Sequence, residues 1–145
     1  MFKQPIVMLD FETTGLSPDY GDRITEVAAL RIVDNQIVER FVSLVNCGVR
    51  IPAFISQLTG ITQAMLNKAP PPDLVIPELL RFIGSDILAA HNASFDAKFL
   101  LAESQRLGLR ARWRMALPIF IDFSQIEVTL PQYPYFKPHY PINCH

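Results

Sequence analysis

The chain is predicted to be an α/β domain with a mixed sheet flanked by helices, and three features predict it. The run Ile6-Val7-Met8-Leu9 has the unbroken apolar character of a buried central strand. Two more strand-like stretches, 24–33 and 37–45, follow in hairpin order around Asp34-Asn35-Gln36. A short buried strand at 86–90 then feeds a helix on which Phe95, Phe99 and Ala102 recur at helical spacing. Hairpin strands succeeded by a strand–helix unit indicate a sheet with both antiparallel and parallel neighbours.

The intervening elements follow from turn and cap chemistry. Ile51-Pro52 opens a short helical stretch that ends near Thr59-Gly60-Ile61-Thr62. Ala69-Pro70-Pro71-Pro72 reads as a loop, and a helix over 77–83 follows, with Pro77 early and Gly84 just past its end. His91-Asn92-Ala93 is a loop, Ser94 is the expected N-cap of the next helix, and Gly108 stops that helix.

At 145 residues, half of them hydrophobic and 19% charged, the chain suits one globular domain with a real core. A formal net charge of −1 excludes a broad basic footprint for wrapping duplex nucleic acid. It leaves room for an enzyme that grips a few nucleotides locally. Cys47 and Cys144 have no metal-ligand spacing and no disulfide framework, so reduced thiols in a cytoplasmic protein are expected. The N-terminal apolar run breaks at Asp10, too early for a signal peptide or a membrane span.

The chemistry is concentrated where the first strand ends. Strand period puts Asp10 and Glu12 on one face and Phe11 on the other. Neighbouring carboxylates repel and resist desolvation, so the pair persists beside a cation or else in open water at a strand end. Hard divalent ions, Mg²⁺ or Mn²⁺, suit the first case. The following Thr13-Thr14-Gly15-Leu16 favours it, because Gly15 permits a tight turn whose hydroxyls and N–H groups can hold a phosphate or sugar. Asp96, in the first turn of a helix beyond a buried strand, is stabilised there by the helix dipole alone. Beside Asp10 and Glu12 it becomes a candidate third acid. Glu26 reads as structural, His91 as an ordinary loop histidine, and Arg106, Arg110, Arg112 and Arg114 as a solvated basic face.

Asp10-Phe11-Glu12-Thr13-Thr14-Gly15-Leu16 and His91-Asn92-Ala93-Ser94-Phe95-Asp96 closely resemble the two leading motifs of the DEDD-type 3′–5′ exonucleases. Leu58-Thr59-Gly60-Ile61-Thr62 with Ala69-Pro70 is similar to the proofreading (epsilon) branch of bacterial DNA polymerase III, and the resemblance covers about 6–110. It implies a ribonuclease H-like fold with a five-stranded sheet. It implies that Asp10, Glu12 and Asp96 are catalytic and hold two divalent ions roughly 3.5–4 Å apart, which clamp an in-line displacement. Thr13, Thr14, Gly15 and Leu16 would cradle the 3′-terminal nucleotide, with Asn92 and Phe95 lining the same cleft. The implied partners are single-stranded or frayed 3′ ends of DNA, with RNA as the alternative, and a DNA polymerase or repair protein; no membrane is involved. Nucleoside 5′-monophosphates would be the product.

The family's further motif, His followed after four residues by Asp, supplies a general base and a last ligand. Here that spacing occurs only at His91–Asp96, and no Asp or Glu follows Glu127. The exonuclease domain is therefore expected over 1–115. Residues 116–145 form an atypical Pro-rich tail in which 116–123, ending near Asp122, is the last candidate strand. The tail reads as a frame-shifted or truncated end, or as a variant without its catalytic helix. Three functions follow: a DNA exonuclease, an RNA-trimming relative, and an exonuclease-like fragment that binds without turnover.

Overall fold

A computed structural model of the chain describes residues 4–110 and 113–115. Five strands make one sheet: β1 (Ile6–Thr13), β2 (Ile24–Val33), β3 (Gln36–Leu44), β4 (Ile87–Ala90) and β5 (Arg114–Met115), in the order β3-β2-β1-β4-β5. β1 pairs antiparallel with β2 and parallel with β4, so it is central, as its apolar run requires. β2 and β3 pair antiparallel across a two-residue turn in which Asp34 and Asn35 both have positive φ, 51° and 63°. That is the turn whose twist matches a hairpin, and Asp and Asn tolerate it.

Helices α1 (Ala53–Thr59), α2 (Gln63–Asn67) and α3 (Pro72–Ile83) connect β3 to β4, and α4 (Ala93–Arg106) follows β4. Val7, Leu9 and Phe11 of β1 form the centre of the core with Ile76 and Leu79 of α3 and Phe99 and Leu100 of α4. Truncating a buried aromatic such as Phe99 costs about 3–5 kcal/mol in cores of this kind. The opposite face of the sheet is also buried at Ile6, Ala28, Ile32 and Ala89. A second small cluster, Ile51, Ile61 and Leu66, anchors α1 and α2 beside Leu44.

The mixed sheet flanked by helices agrees with the sequence expectation, while several boundaries differ from it. α3 starts at Pro72, five residues before the expected Pro77, and Pro77 lies inside it. Pro72 is tolerated because a first-turn N–H has no intrahelical partner, and burial of Val75, Ile76 and Leu79 offsets the one bond Pro77 cannot donate. α2 was not expected. It is capped by Thr62, whose hydroxyl accepts the Met65 N–H at 3.2 Å. The N-cap of α4 is Asn92 rather than Ser94, and the Ser94 hydroxyl donates to Asn92 Oδ1 at 3.3 Å. The expectations for 116–145, including Asp122 and the Pro-rich tail, and for Arg112 lie outside the described residues.

Candidate active site

The exposure pattern of β1 separates its two faces. Leu9 and Phe11 are buried in the core, while Met8, Asp10 and Glu12 alternate with them at half-buried positions. In the β1–β2 register Asp10 stands opposite Ala28 and Glu12 opposite Glu26. Residues directly opposite in an antiparallel pair share a face, so Glu26 joins the two acids of β1.

Asp96 comes from the other side of β1. β4 pairs with β1 only from Ile6 to Leu9, so the chain leaves β4 and enters α4 beside the end of β1 that carries the acids. Beyond Leu9 the Phe11 N–H has no partner on β4, and Asp96 Oδ1 accepts it at 3.2 Å. Asp96 is 3% exposed in the first turn of α4. One backbone hydrogen bond thus fixes the helix that brings the third acid to the strand that carries the first two.

Crowding and burial change the acidity of this group. The Glu12 carboxyl is pushed up to about 7, first by burial and then by the charges of Asp10, Glu26 and Asp96. Burial and the charge of Asp10 raise Asp96 to about 7, against the opposing pull of its backbone hydrogen bonds. Glu26 rises to about 7 for the same two reasons, burial first and Asp10 second. Such raised carboxylates in a cleft mark functional sites more often than structural ones.

Between β1 and β2 the loop that begins at Thr14 is held from within. The Thr14 N–H donates to the Arg23 carbonyl at 2.9 Å, and the Arg23 N–H donates to Thr14 Oγ1 at 3.0 Å. Thr14 Oγ1 donates in turn to Asp22 Oδ1 at 3.2 Å, while Asp22 Oδ2 accepts the Ser17 N–H at 3.1 Å. Thr13 Oγ1 donates to the Gly15 carbonyl at 2.6 Å. Both threonines are buried, and their hydroxyls brace the loop. Gly15 does not need a left-handed backbone, since its φ is not positive. Glycine is needed there for room: a β-carbon would meet Asp22 Oδ2 at 2.4 Å. The product of this bracing is Leu16, which is 79% exposed.

Asp10, Phe11, Leu16, His91, Asn92, Phe95 and Asp96 line one cleft of about 230 Å³. Of the expected site residues, Asp10, Leu16, Asn92, Phe95 and Asp96 meet there. Glu12 adjoins through its charge coupling to Asp10 and Asp96, and Thr13, Thr14 and Gly15 act by shaping the loop. The acid that sequence reasoning set aside is Glu26. Only the β1–β2 register could have revealed it, because strand period alone does not say which face of β2 meets Asp10. His91 borders the cleft and is exposed. Of the expected basic face, Arg106 pairs with Glu103 at 3.3 Å.

Among the described residues no three Asp, Glu, His or Cys side chains stand in a metal-holding arrangement. The chemistry of the donors nonetheless suits hard divalent ions: they are carboxylate oxygens only, made weaker acids by burial and by one another's charge. Glu26, across from Glu12 on β2, is nearly buried as well.

Acids from a central strand and from the helix after its parallel neighbour, facing one cleft, match a known family. The exonuclease family RNase_T matches residues 7–133. The chain belongs to this exonuclease family. The match places it among the DEDD-type 3′–5′ exonucleases and runs past residue 110, where the motif resemblance stops. Among exonuclease-family relatives, the DNA polymerase III PolC-type of Caldanaerobacter subterraneus subsp. tengcongensis is 42% identical over 103 residues, covering 71% of this chain and 7% of its own length. The 3′-5′ exonuclease DinG of Bacillus subtilis is 41% identical over 110 residues, covering 76% of this chain and 12% of its own. The chain thus spans only a small part of these relatives.

Solved structures give the same fold. Exonuclease X in complex with 5′ overhanging duplex DNA superposes with a TM-score of 0.56 at 33% identity, over 66% of this chain and 53% of that one. Exonuclease I, at 15% identity, gives a TM-score of 0.70 over 79% of this chain and 29% of that one, a likeness of fold alone. The fold of this exonuclease-family chain is therefore ribonuclease H-like. No helix among the described residues is long and apolar enough to cross a membrane.

Proposed function

We propose that the chain hydrolyses the 3′-terminal phosphodiester of DNA, releasing nucleoside 5′-monophosphates, as in polymerase proofreading or repair. The observation that carries this reading is the meeting of Asp10, Leu16, Asn92, Phe95 and Asp96 in one cleft, with Glu12 coupled to its acids. Such a wall combines carboxylates for cation-assisted phosphate chemistry with apolar groups that can face a base. The relatives named above, a polymerase and an exonuclease, and a solved exonuclease–DNA complex support nucleic acid as the substrate class.

Asp10, Glu12 and Asp96 would hold two divalent ions, Mg²⁺ or Mn²⁺. Ions bound there supply charge neutralisation at the phosphate and a nucleophilic water at neutral pH. The protein's own contributions are positional. The Phe11 N–H holds the Asp96 carboxylate against β1. The braced loop presents Leu16 as a wedge beside the terminal nucleotide. Phe95, half-buried and packed on Phe99 with ring centroids 4.9 Å apart, offers a fixed aromatic wall.

The test is release of nucleoside 5′-monophosphates from a 3′-labelled single-stranded DNA with Mn²⁺, comparing the chain with Asp10→Ala. Product that disappears in the variant is expected. Folded protein that yields none from DNA overturns this reading; a matched RNA substrate then separates RNA trimming from binding without turnover.

A further inference from the structure

We propose that Tyr20 is a stacking platform for an unpaired nucleobase behind the 3′-terminal nucleotide, on the loop that also carries Leu16. The proposal rests on the nucleic-acid reading above and adds a contact to the strand rather than to the phosphate that is cut.

Exposure singles this loop out. Tyr20 is 90% exposed and Leu16 79%, and no other large apolar side chain among the described residues exceeds 70%. Both belong to the connection between β1 and β2, and Leu16 borders the cleft. One exposed apolar side chain is ordinary on a protein surface. The two most exposed ones on a single loop, with one of them on the cleft wall, mark that loop as a contact surface.

The backbone holds the ring out. Pro18–Tyr20 form one 3₁₀ turn. The Ser17 carbonyl accepts the Tyr20 and Asp22 N–H groups, each at 3.2 Å, and the Gly21 N–H donates to the Pro18 carbonyl at 3.1 Å. Gly21 closes the turn at a φ of 88°, which glycine adopts without strain. Beyond it Arg23 fastens the loop to α4 with two hydrogen bonds to Glu103, Nε to Oε1 at 2.7 Å and Nη2 to Oε2 at 2.9 Å. The Tyr20 side chain itself makes no hydrogen bond, ion pair or ring contact among the described residues. A ring with two side-chain torsions on a fixed turn loses little freedom when it is covered.

Charge decides which part of a nucleotide the ring meets. Asp19 precedes Tyr20, Asp22 follows Gly21, and the loop's one cation, Arg23, is already paired with Glu103. Phosphate is disfavoured there. The face of a base is not, and it stacks on an aromatic ring whatever its sequence. Tyr20 lies four residues after Leu16, so their α-carbons are at most about 14 Å apart. At about 3.4 Å per stacked base, that reach covers no more than the first few nucleotides behind the terminal one. A base stacked and paired within a duplex offers no free face, so the platform favours an unpaired 3′ end.

The experiment measures binding of a 5′-labelled thymidine octanucleotide to the full chain by fluorescence anisotropy, with Ca²⁺ in place of Mn²⁺ so that the strand stays whole. Competition by thymidine 5′-monophosphate, which fills the terminal position alone, is the second readout, and melting temperature checks the fold. Loss of one base–aromatic stack in Tyr20→Ala is expected to weaken the octanucleotide by about 5–100-fold. The monophosphate, the salt dependence and the melting temperature should stay as in the parent. Tyr20→Phe should bind like the parent and Tyr20→Leu like Tyr20→Ala. Octanucleotide affinity in Tyr20→Ala equal to the parent's rejects the proposal. So does full affinity in Tyr20→Leu, which would mean apolar contact without stacking, and so does an equal loss for both ligands. A folded parent chain that binds no single strand overturns the nucleic-acid reading itself, and the proposal with it.

Discussion

At Gly15 the missing side chain and the Asp22 carboxylate occupy adjoining space, and two more residues of the loop depend on that carboxylate. Gly15→Ala is therefore expected to cost about 1–3 kcal/mol through overpacking, read by urea denaturation. Adding Asp22→Ala should recover part of the loss; an additive double variant would contradict the close approach. Lys98 is a second residue-scale case. Among the described residues lining the cleft none is Lys or Arg, yet the Lys98 ammonium lies 5.6 Å from the centroid of Phe95, a wall residue. Lys98→Met should weaken binding of a single-stranded oligonucleotide and flatten its salt dependence by about 0.7 in log–log slope, the share of one phosphate contact. An unchanged slope in fluorescence anisotropy would count against it. At this scale the sequence was legible where spacing alone decides. Asp10 and Glu12 share a face because strands alternate, and Asp96 follows a strand that ends beside them. Glu26 and Asp22 were not legible, since register and loop folding decide where they point.

Arg23 and Glu103 join two elements, the strand-entry end of the Thr14–Arg23 loop and the last turn of α4. Glu103 lies two turns after Asp96 on that helix, so one ion pair links the loop bearing Leu16 to the helix bearing the third acid. Arg23→Met removes both Arg23 hydrogen bonds and leaves the buried Glu103 carboxylate only its longer contact with Arg106 at 3.3 Å, and a loss approaching about 3–5 kcal/mol is expected. Arg23→Met with Glu103→Leu should lose clearly less, because no stranded charge remains; equal losses in chemical denaturation would show that pairing is not the issue. Arg31 performs a similar office at the far end of β2, paired with Asp86, with Glu39 at 3.1 Å and with the Phe82 carbonyl at 2.6 Å. Elements were read from sequence most securely where apolar runs or helical spacing marked them, as in β1, β2 and α4. α3 was started too late because Pro70-Pro71-Pro72 looked like a loop, although proline is compatible with a first helical turn. α2, only five residues long, has too short a pattern to be read by period.

For the whole molecule, the raised acids set a direction for stability against pH. Glu12, Glu26 and Asp96 titrate near 7 when folded and near their ordinary, lower values when unfolded. Between those values the folded state binds more protons, so metal-free stability is greatest below the unfolded values and falls as pH rises through about 7. Thermal denaturation without metal should show melting temperature declining from pH 5 to pH 7.5, with Mn²⁺ restoring it at the upper end. A metal-free melting temperature that climbs over that interval would contradict the shared burial of these acids. Asp10→Asn should flatten the decline, since Asp10 is a cause of all three shifts.

The parallel pairing of β1 with β4 has a consequence in time. β1, β2 and β3 are sequential neighbours joined by short connections, whereas Leu9 meets Ala90 only after the intervening helices are made. Closing so long a segment is entropically slower than closing a hairpin. During synthesis the three-stranded meander is therefore expected to form first, gathering Asp10, Glu12 and Glu26 while Asp96 is still absent. Like charges would then meet before the Phe11 N–H has its acceptor. Pulse-labelled hydrogen exchange during refolding should protect the β2–β3 amides earlier than Phe11, and simultaneous protection would reject that order. A polypeptide that assembles its repulsive half first completes its cleft late, when α4 brings Asp96 to the Phe11 N–H.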